Sequence, residues 1–562
     1  MVAIGAFAPF LPYLGMQFVN DWGYFNSLVL VVRSIVWEYG RFPLHNPWVC
    51  GGLDLLTNPQ NRIFSPLMLL DLLFRPQWAN VAGLMAYAAL GFIGARLFLV
   101  QFGVSQLVAT VGAILFLHGN WFGFHYTEGH IPFGTMQLLP WMAYLAMRCG
   151  SRRNFILLGL TVSVMLLDGG MYAFVFSILT IATLLVMGRI PLAELKAALL
   201  SRPFETAGVI VATGLLATPK MLPVLRALRD RGPELDFHSM SPELIKLALF
   251  SPFTSLFEQP ANTSWRFHEF ACYLSPLGLV LIFIGGTRPL QYWKRAWPLL
   301  LAALFWFWVG SGYWPEWNPW LAFQRVPLIN NAHVQSRVLL IMFVFFVILV
   351  TLALERLRER HVVAFAVPAL LLVVEAVIVH GKPMREIVRP ENTRAPTTLI
   401  AGRQIQYTRE TSFHEIPQHY YERLGSAKCY EPSFRPPSQV IHHLGGNGYC
   451  GEACLDDPNA GWVQITRHSP GRITLDFELQ KHTSFDLNTN ALYGWHVRDA
   501  AAAKLSGFGY ERLKVEPSAR KGKLRLYYRP TYLPWVFASL LAGIALFTAL
   551  WIRSRSGAGS PH

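Results

Sequence analysis

Charge is what this 562-residue chain has least of: 14% of its residues are Asp, Glu, Lys or Arg, against 53% hydrophobic ones. That balance is too apolar for a soluble protein of this size. Cysteine is also scarce. Six are scattered along the chain, and no Cys/His spacing matches a zinc site. The net charge of +15 comes without a basic stripe interleaved with aromatics, so nucleic acid is not an expected partner. No short-period repeat is visible. Residues 1–19 are apolar but lack a basic leader, and no A-x-A site follows. They read as a first membrane helix, not a cleaved signal.

What is present is a series of apolar runs near bilayer length, with Trp and Tyr clustered near their ends. Candidate helices cover 2–19, 80–100, 104–118, 134–148, 155–168, 171–187, 204–219, 272–287, 297–311, 337–354, 361–380 and 532–552. The expected fold is a polytopic α-helical membrane protein of about twelve transmembrane helices. Basic residues concentrate at 148–154, 188–203, 288–295, 355–360 and 553–555. Placing all five in the cytoplasm fits an even number of crossings between each pair, and puts both termini there too. The external face then receives the 20–79 and 220–271 loops, the 119–133 segment, the turn at Asp168, 312–336 and 381–531.

The 381–531 segment differs in kind. Apolar density falls, and "GRITLDFEL" (471–479) and "KLRLYYRP" (523–530) alternate as strands do. The expected organisation is a transmembrane domain over 1–380, an external, mostly-β domain over 381–531, and a final helix with a cytoplasmic tail over 532–562. Cys450 and Cys454, or one of them with Cys429, are expected to pair in an oxidising compartment.

Nearly every unusual polar cluster falls on the external side. Asp21 follows the first helix, at the hydrocarbon boundary where ionisation is costly; a solvated helix-end Asp is the bland alternative. "FPLHNPWVCGGLDLLTNPQ" (42–60) packs His45, Asn46, Asn58 and Gln60 into a loop stiffened by Pro43, Pro47 and Pro59. Gly51-Gly52 permits backbone shapes other residues avoid. "YTEGHIPFGTMQLLPW" (126–141) carries Glu128, His130 and Gln137, and Asp168 stands at the end of another helix, where it equally suits a turn cap. "TSWRFHEFACYLSP" (263–276) carries Arg266, His268, Glu269 and Tyr273. "FQRVPLINNAHVQSRVLL" (323–340) carries Arg325, Asn330, Asn331, His333, Gln335 and Arg337. Arg binds phosphate bidentately at any working pH, while lipid-headgroup contact is the plainer reading of any single one.

In this order the clusters resemble the bacterial YfhO-like membrane proteins of the GT-C glycosyltransferase superfamily. The residues that carry the resemblance are Asp21, "FPLHNPWVCGG" with "NPQNRIFSPL", "GHIPFGTMQLLPW", "EFACYLSPLGL", "VPLINNAHVQSRVLL" and the "LYYRPTYLPW" lead into the last helix. Where relatives tend to place a Gln one turn after the first Asp, this chain has Phe25 and Asn26. The resemblance implies an enzyme of the bacterial inner membrane. Its donor would be a polyprenyl-phosphate sugar, its acceptor an envelope glycan or lipid, and transfer would occur on the external face with Asp21 as general base.

The residues are compatible with that chemistry. Inverting transfer needs a base near the acceptor hydroxyl and cations on the departing phosphate. Arg266, Arg325, Arg337 and Lys220 are the phosphate candidates. His45, Asn46, Asn58, Gln60, His130 and Glu269 are the sugar-orienting candidates. No nucleotide-sugar DxD-type site or Gly-rich phosphate loop is evident. No tight carboxylate pair near Asp21 marks a divalent metal, so no metal ligand is assigned. The alternatives are a non-catalytic protein for lipid-linked glycan transport and a scaffold for envelope assembly. Clean helices with polar clusters at their external ends favour surface chemistry over a transport path.

Overall fold

The computed structural model describes residues 2–556, apart from 17, 19, 191, 230–236, 262, 264, 287–289, 327–328, 330–333, 388–405, 409–419, 423, 427–441, 443–445, 500 and 509–511. Six helices in the described residues are long and apolar enough to cross a membrane: Pro76–Val100, Gln106–Glu128, Pro203–Ala227, Gln335–Arg360, Val362–Met384 and Leu533–Arg555. Shorter apolar helices run over Ile4–Tyr13 and Met171–Val186. The chain is a multi-pass membrane protein, mostly helical, with a β-sheet region ahead of its last helix.

Gln335–Arg360 is the central post. Its most apolar stretch is 100% buried, against 22% for Val362–Met384 and 28% for Leu533–Arg555. A helix that is apolar all round sits inside a bundle or in lipid, and burial decides between the two here. Leu290–Ser311, Pro276–Gly286, Val362–Met384 and Gln106–Leu117 pack around it.

Among the segments expected as external loops, three contain longer helices outside the expected set. Within 20–79, Trp22–Trp37 is a helix whose side chains are largely buried. Asn26 and Arg33 interrupt its apolar run, but it packs against protein rather than lipid: the Asn80 amide donates to Asn26 Oδ1 at 2.9 Å. Within 119–133, Asn120–Glu128 continues the crossing that starts at Gln106. Within 220–271, Pro203–Arg229 runs on past its expected end, and Pro242–Phe250 forms a further helix.

The β region is a sandwich of two four-stranded antiparallel sheets. One has Ala503–Ser506, Arg512–Pro517, Phe485–Asn490 and Ala453–Leu455 in spatial order. The other has Gly461–Ser469, Arg472–Leu479, Lys521–Tyr528 and Trp495–Val497. Both stretches whose alternation suggests strands are strands, and buried residues alternate along them. Their inward side chains share one core, with Leu475 and Phe477 against Phe485, Leu513 and Val515. Cys450 and Cys454 are disulfide-bonded. Cys50 is disulfide-bonded as well, and Cys429 lies outside the described residues.

The 42–60 loop is the seat on which this sandwich rests. The Asn490 side-chain amide donates to Cys50 O at 2.5 Å and to Gly52 O at 2.9 Å. Thr489 Oγ1 donates to Gly51 O at 2.9 Å. Tyr528 OH donates to Asp54 Oδ2 at 2.7 Å, and Tyr532 OH donates to the same oxygen. Gly52 has φ +98°, and a Cβ there would come within 2.9 Å of both His45 Nε2 and Thr489 Oγ1. A side chain at Gly52 would push the two regions apart.

Candidate functional site

The first element of the site is a close approach between two chain turns. Asn120–Glu128 ends in a left-handed Gly129 with φ +105°. A Cβ on Gly129 would lie 2.4 Å from Trp22 N, so a glycine is required where the start of Trp22–Trp37 crosses this point. The approach is sealed by Asp21 N donating to Glu128 O at 3.0 Å and by Trp22 Nε1 donating to Tyr126 O at 2.8 Å. It sets Asp21, at the helix N-cap, beside His130.

Around that crossing gather three carboxylates, three imidazoles and two guanidiniums. His130 Nε2 lies 3.3 Å from Asp21 Oδ2. His130 Nδ1 and His125 Nδ1 are 2.8 Å apart, so one donates to the other. His268 bridges two carboxylates: Nδ1 is 3.6 Å from Glu128 Oε2 and Nε2 is 3.3 Å from Glu269 Oε1. Arg337 grips Glu269 through both oxygens, Nε to Oε2 at 2.7 Å and Nη2 to Oε1 at 2.5 Å. The guanidinium also lies over the Phe133 and Tyr172 rings, at 5.0 and 5.1 Å. Arg266 donates to Asn20 Oδ1 at 3.1 Å and stands 3.9 Å from Glu128 Oε1.

Burial grades these groups. Side-chain exposure is 19% for Asp21, 8% for Glu128 and 2% for Glu269. Arg266 is 41% exposed and Arg337 6%. Burial alone would raise the Glu269 carboxyl, but Arg337 and His268 outweigh it and hold the group well below the usual carboxylate range. Two non-glycine residues with positive φ flank the cluster, Asn20 at 54° and Val334 at 61°. Such strained backbone concentrates at functional sites.

Of the residues given a catalytic, sugar-orienting or phosphate role from sequence, Asp21, His130, Arg266, Glu269 and Arg337 come together here. The others do not join them. His45 and Asn46 are buried and committed elsewhere: Gly471 N donates to His45 Nδ1 at 3.3 Å, with the Trp495 and Tyr528 rings at 5.0 and 5.2 Å. Asn46 Oδ1 accepts from Trp48 N at 3.0 Å. His45 therefore holds the β sandwich, while Asn46 pins its own loop, and both side chains lie apart from the cluster around Asp21.

Asn58 Nδ2 donates to Tyr24 OH at 2.6 Å, and its Oδ1 accepts from Gln60 N at 2.8 Å. Gln60 lines a separate cavity with Asn61, Arg62, Asp71, Asn80 and Asp168. Lys220 Nζ donates to Asn58 O at 2.8 Å, and also to Asn61 O at 2.5 Å. It is a buried clamp on the loop, not a cation open to phosphate. Arg325 is exposed beyond the short helix Trp320–Phe323 and forms no ion pair among the described residues. Asn330, Asn331 and His333 lie outside the described residues.

Sequence reasoning assigned no role to His125, Glu128 or His268. A signal for the first two existed: a helical His125-x-x-Glu128 followed by a C-cap glycine turns His130 back onto the helix it leaves. His268 had no such local signal, because its partners Glu128 and Glu269 meet it only through the fold.

No known family model matches this chain, and no curated protein matches its sequence. A cryo-electron microscopy structure of the arabinofuranosyltransferase AftD from Mycobacteria is similar over 70% of this chain, at 13% identity and a TM-score of 0.37. The matched region is 27% of that protein's chain, so this chain spans about a quarter of its length.

Proposed function

We propose that this protein is a membrane glycosyltransferase of the bacterial inner membrane. It moves a sugar from a polyprenyl-phosphate donor to an envelope glycan or lipid acceptor on the external face. The observation that carries the reading is the graded exposure of the three carboxylates. Glu269 is neutralised by Arg337, and Glu128 is enclosed by Asn20, Arg266 and His268. Asp21 remains reachable at the edge of the cluster.

In this reading Asp21 takes the proton from the acceptor hydroxyl as its oxygen attacks the anomeric carbon. The bond from that carbon to the phosphate oxygen breaks, and polyprenyl phosphate leaves. His130, at 3.3 Å, orients the Asp21 carboxylate. Arg266 is the reachable cation and meets the phosphate charge as it develops. Arg337 acts one step back by fixing Glu269 and, through it, His268.

The test is reconstitution of the full chain in liposomes containing radiolabelled polyprenyl-phosphate hexose or pentose, with cell-envelope extract as acceptor. Label moving from lipid to acceptor is the expected result. Donor that is bound yet never consumed, with any sugar tried, contradicts the reading.

A further inference from the structure

We propose that His130, His268 and Glu269 form a binding site for a first-row divalent metal ion of the zinc or manganese type. One nitrogen of each histidine and one Glu269 oxygen all lie within 4.8 Å of one another. Donors at about 2.0–2.2 Å from one tetrahedral ion lie about 3.4 Å apart, so the three groups would draw inward on binding. Two imidazoles and one carboxylate are a donor set that suits zinc, manganese or iron rather than calcium or magnesium, which take oxygen ligands.

The second line of support is what stands behind each ligand. Metal-bound histidines present their other nitrogen to an acceptor that fixes the tautomer, and ligating carboxylates are themselves hydrogen-bonded. His268 offers Nε2 to the Glu269 side, and its Nδ1 stands 3.6 Å from Glu128 Oε2, just beyond hydrogen-bond distance. His130 faces His125 with Nδ1, at 2.8 Å. Glu269 is gripped by Arg337 through both oxygens. His268 Nδ1 and His125 Nε2 are buried without a hydrogen-bond partner. The two rings that would share the ion are 5.3 Å apart at an interplanar angle of 70°.

Charge also permits an added cation. Three carboxyl groups, Asp21, Glu128 and Glu269, face two guanidiniums, Arg266 and Arg337, in the group. With Nδ1 on His125, the His130 nitrogen open to an ion is Nε2, the one 3.3 Å from Asp21 Oδ2, so the ion would stand between them, at the open side where water or a substrate oxygen completes its coordination. A bound ion would act there as a Lewis acid on a phosphate oxygen. That role rests on the glycosyltransferase reading, but the site itself does not.

The experiment uses the full chain in detergent, stripped with chelator and titrated with Co²⁺ as a visible-absorbing probe, followed by displacement with Zn²⁺. The expected result is about one equivalent bound, with the spectrum of nitrogen and oxygen ligands in a four- or five-coordinate site. His268→Ala and His130→Ala should each abolish the band. Glu128→Gln should weaken affinity by about 10–100-fold through its contact with His268. His361→Gln, exposed at a distant helix start, should leave binding unchanged.

Should the histidine variants fail to fold, diethylpyrocarbonate modification of wild type, mapped by mass spectrometry, gives the same answer. Metal should protect His130 and His268 from modification and leave His361 reactive. Absence of stoichiometric binding overturns the proposal. So does binding that survives in both histidine variants, or equal modification of His130 and His268 with and without metal. None of these readouts depends on turnover, so the site and the enzymatic reading fail separately.

Discussion

Arg337→Ala removes the guanidinium that grips Glu269 by both oxygens and leaves that carboxylate 2% exposed. Breaking a buried ion pair from one side costs about 3–5 kcal/mol, because the partner charge stays buried and uncompensated. His268 remains 3.3 Å from Glu269 and takes up part of the charge, so the lower end, about 3 kcal/mol, is expected. That is roughly a hundredfold change in the folded-to-unfolded ratio. The variant therefore fails first through stability, not through donor affinity as a directly phosphate-binding arginine would.

The protein carries its own reporters. Cys149 and Cys272 are free and buried, and Cys272 Sγ lies 3.4 Å from Leu339 O, on the same central helix as Arg337. A thiol-reactive dye should label Arg337→Ala at a clearly lower temperature than wild type. The double variant Glu269→Gln/Arg337→Gln should recover much of the loss, because neither charge is then stranded. Wild-type labelling temperature in Arg337→Ala, with the protein monodisperse, would refute the reasoning.

The seat of the β sandwich should loosen in acid. Burial holds His45 down to about 3 and His468 down to about 4, so both are neutral when docked and protonate near their ordinary value of about 6.5 when exposed. Docking stability is thus full above about pH 6.5 and falls as pH drops from there toward 4. Asp54, raised by burial, works in the opposite sense. Hydrogen exchange at the Gly471 and Asn490 amides should accelerate over that window, and His45→Phe should flatten the effect. Lys220→Met leaves Asn58 O and Asn61 O without their donor and should cost about 2 kcal/mol or more, read by the same dye. Cysteine-accessibility labelling should find Ser151 cytoplasmic and Ser484 external, and the reverse at either position overturns the topology.

The parts of this protein legible in its sequence are those with a local signature. Apolar runs gave the long helices, and period-two alternation at 471–479 and 523–530 marked strands that the fold contains. Trp22–Trp37 was hidden because Asn26, Ser27, Arg33 and Ser34 break its apolar run, and a helix packed inside protein need not be as apolar as one facing lipid. Residues at a chain reversal, Asp21 and His130, were found as single features, but their meeting depends on Gly129, where a Cβ would lie only 2.4 Å from Trp22 N. The 42–60 loop misled for a physical reason. Proline, glycine and amides make a rigid polar turn whether it holds a sugar or another domain, and what chooses between them is Asn490, Thr489 and Tyr528, more than four hundred residues away. The partners of Lys220 and Arg337, the Asn58 and Asn61 carbonyls and the Glu269 carboxylate, were equally out of sight in the sequence.

The central claim is that Asp21 is the general base. Asp21→Asn keeps the side chain's size and hydrogen-bonding reach but cannot accept the proton. Sugar transfer from the polyprenyl-phosphate donor should fall by about 10²–10⁴-fold, with labelling temperature and donor binding close to wild type. Full transfer by Asp21→Asn at wild-type abundance would contradict the account.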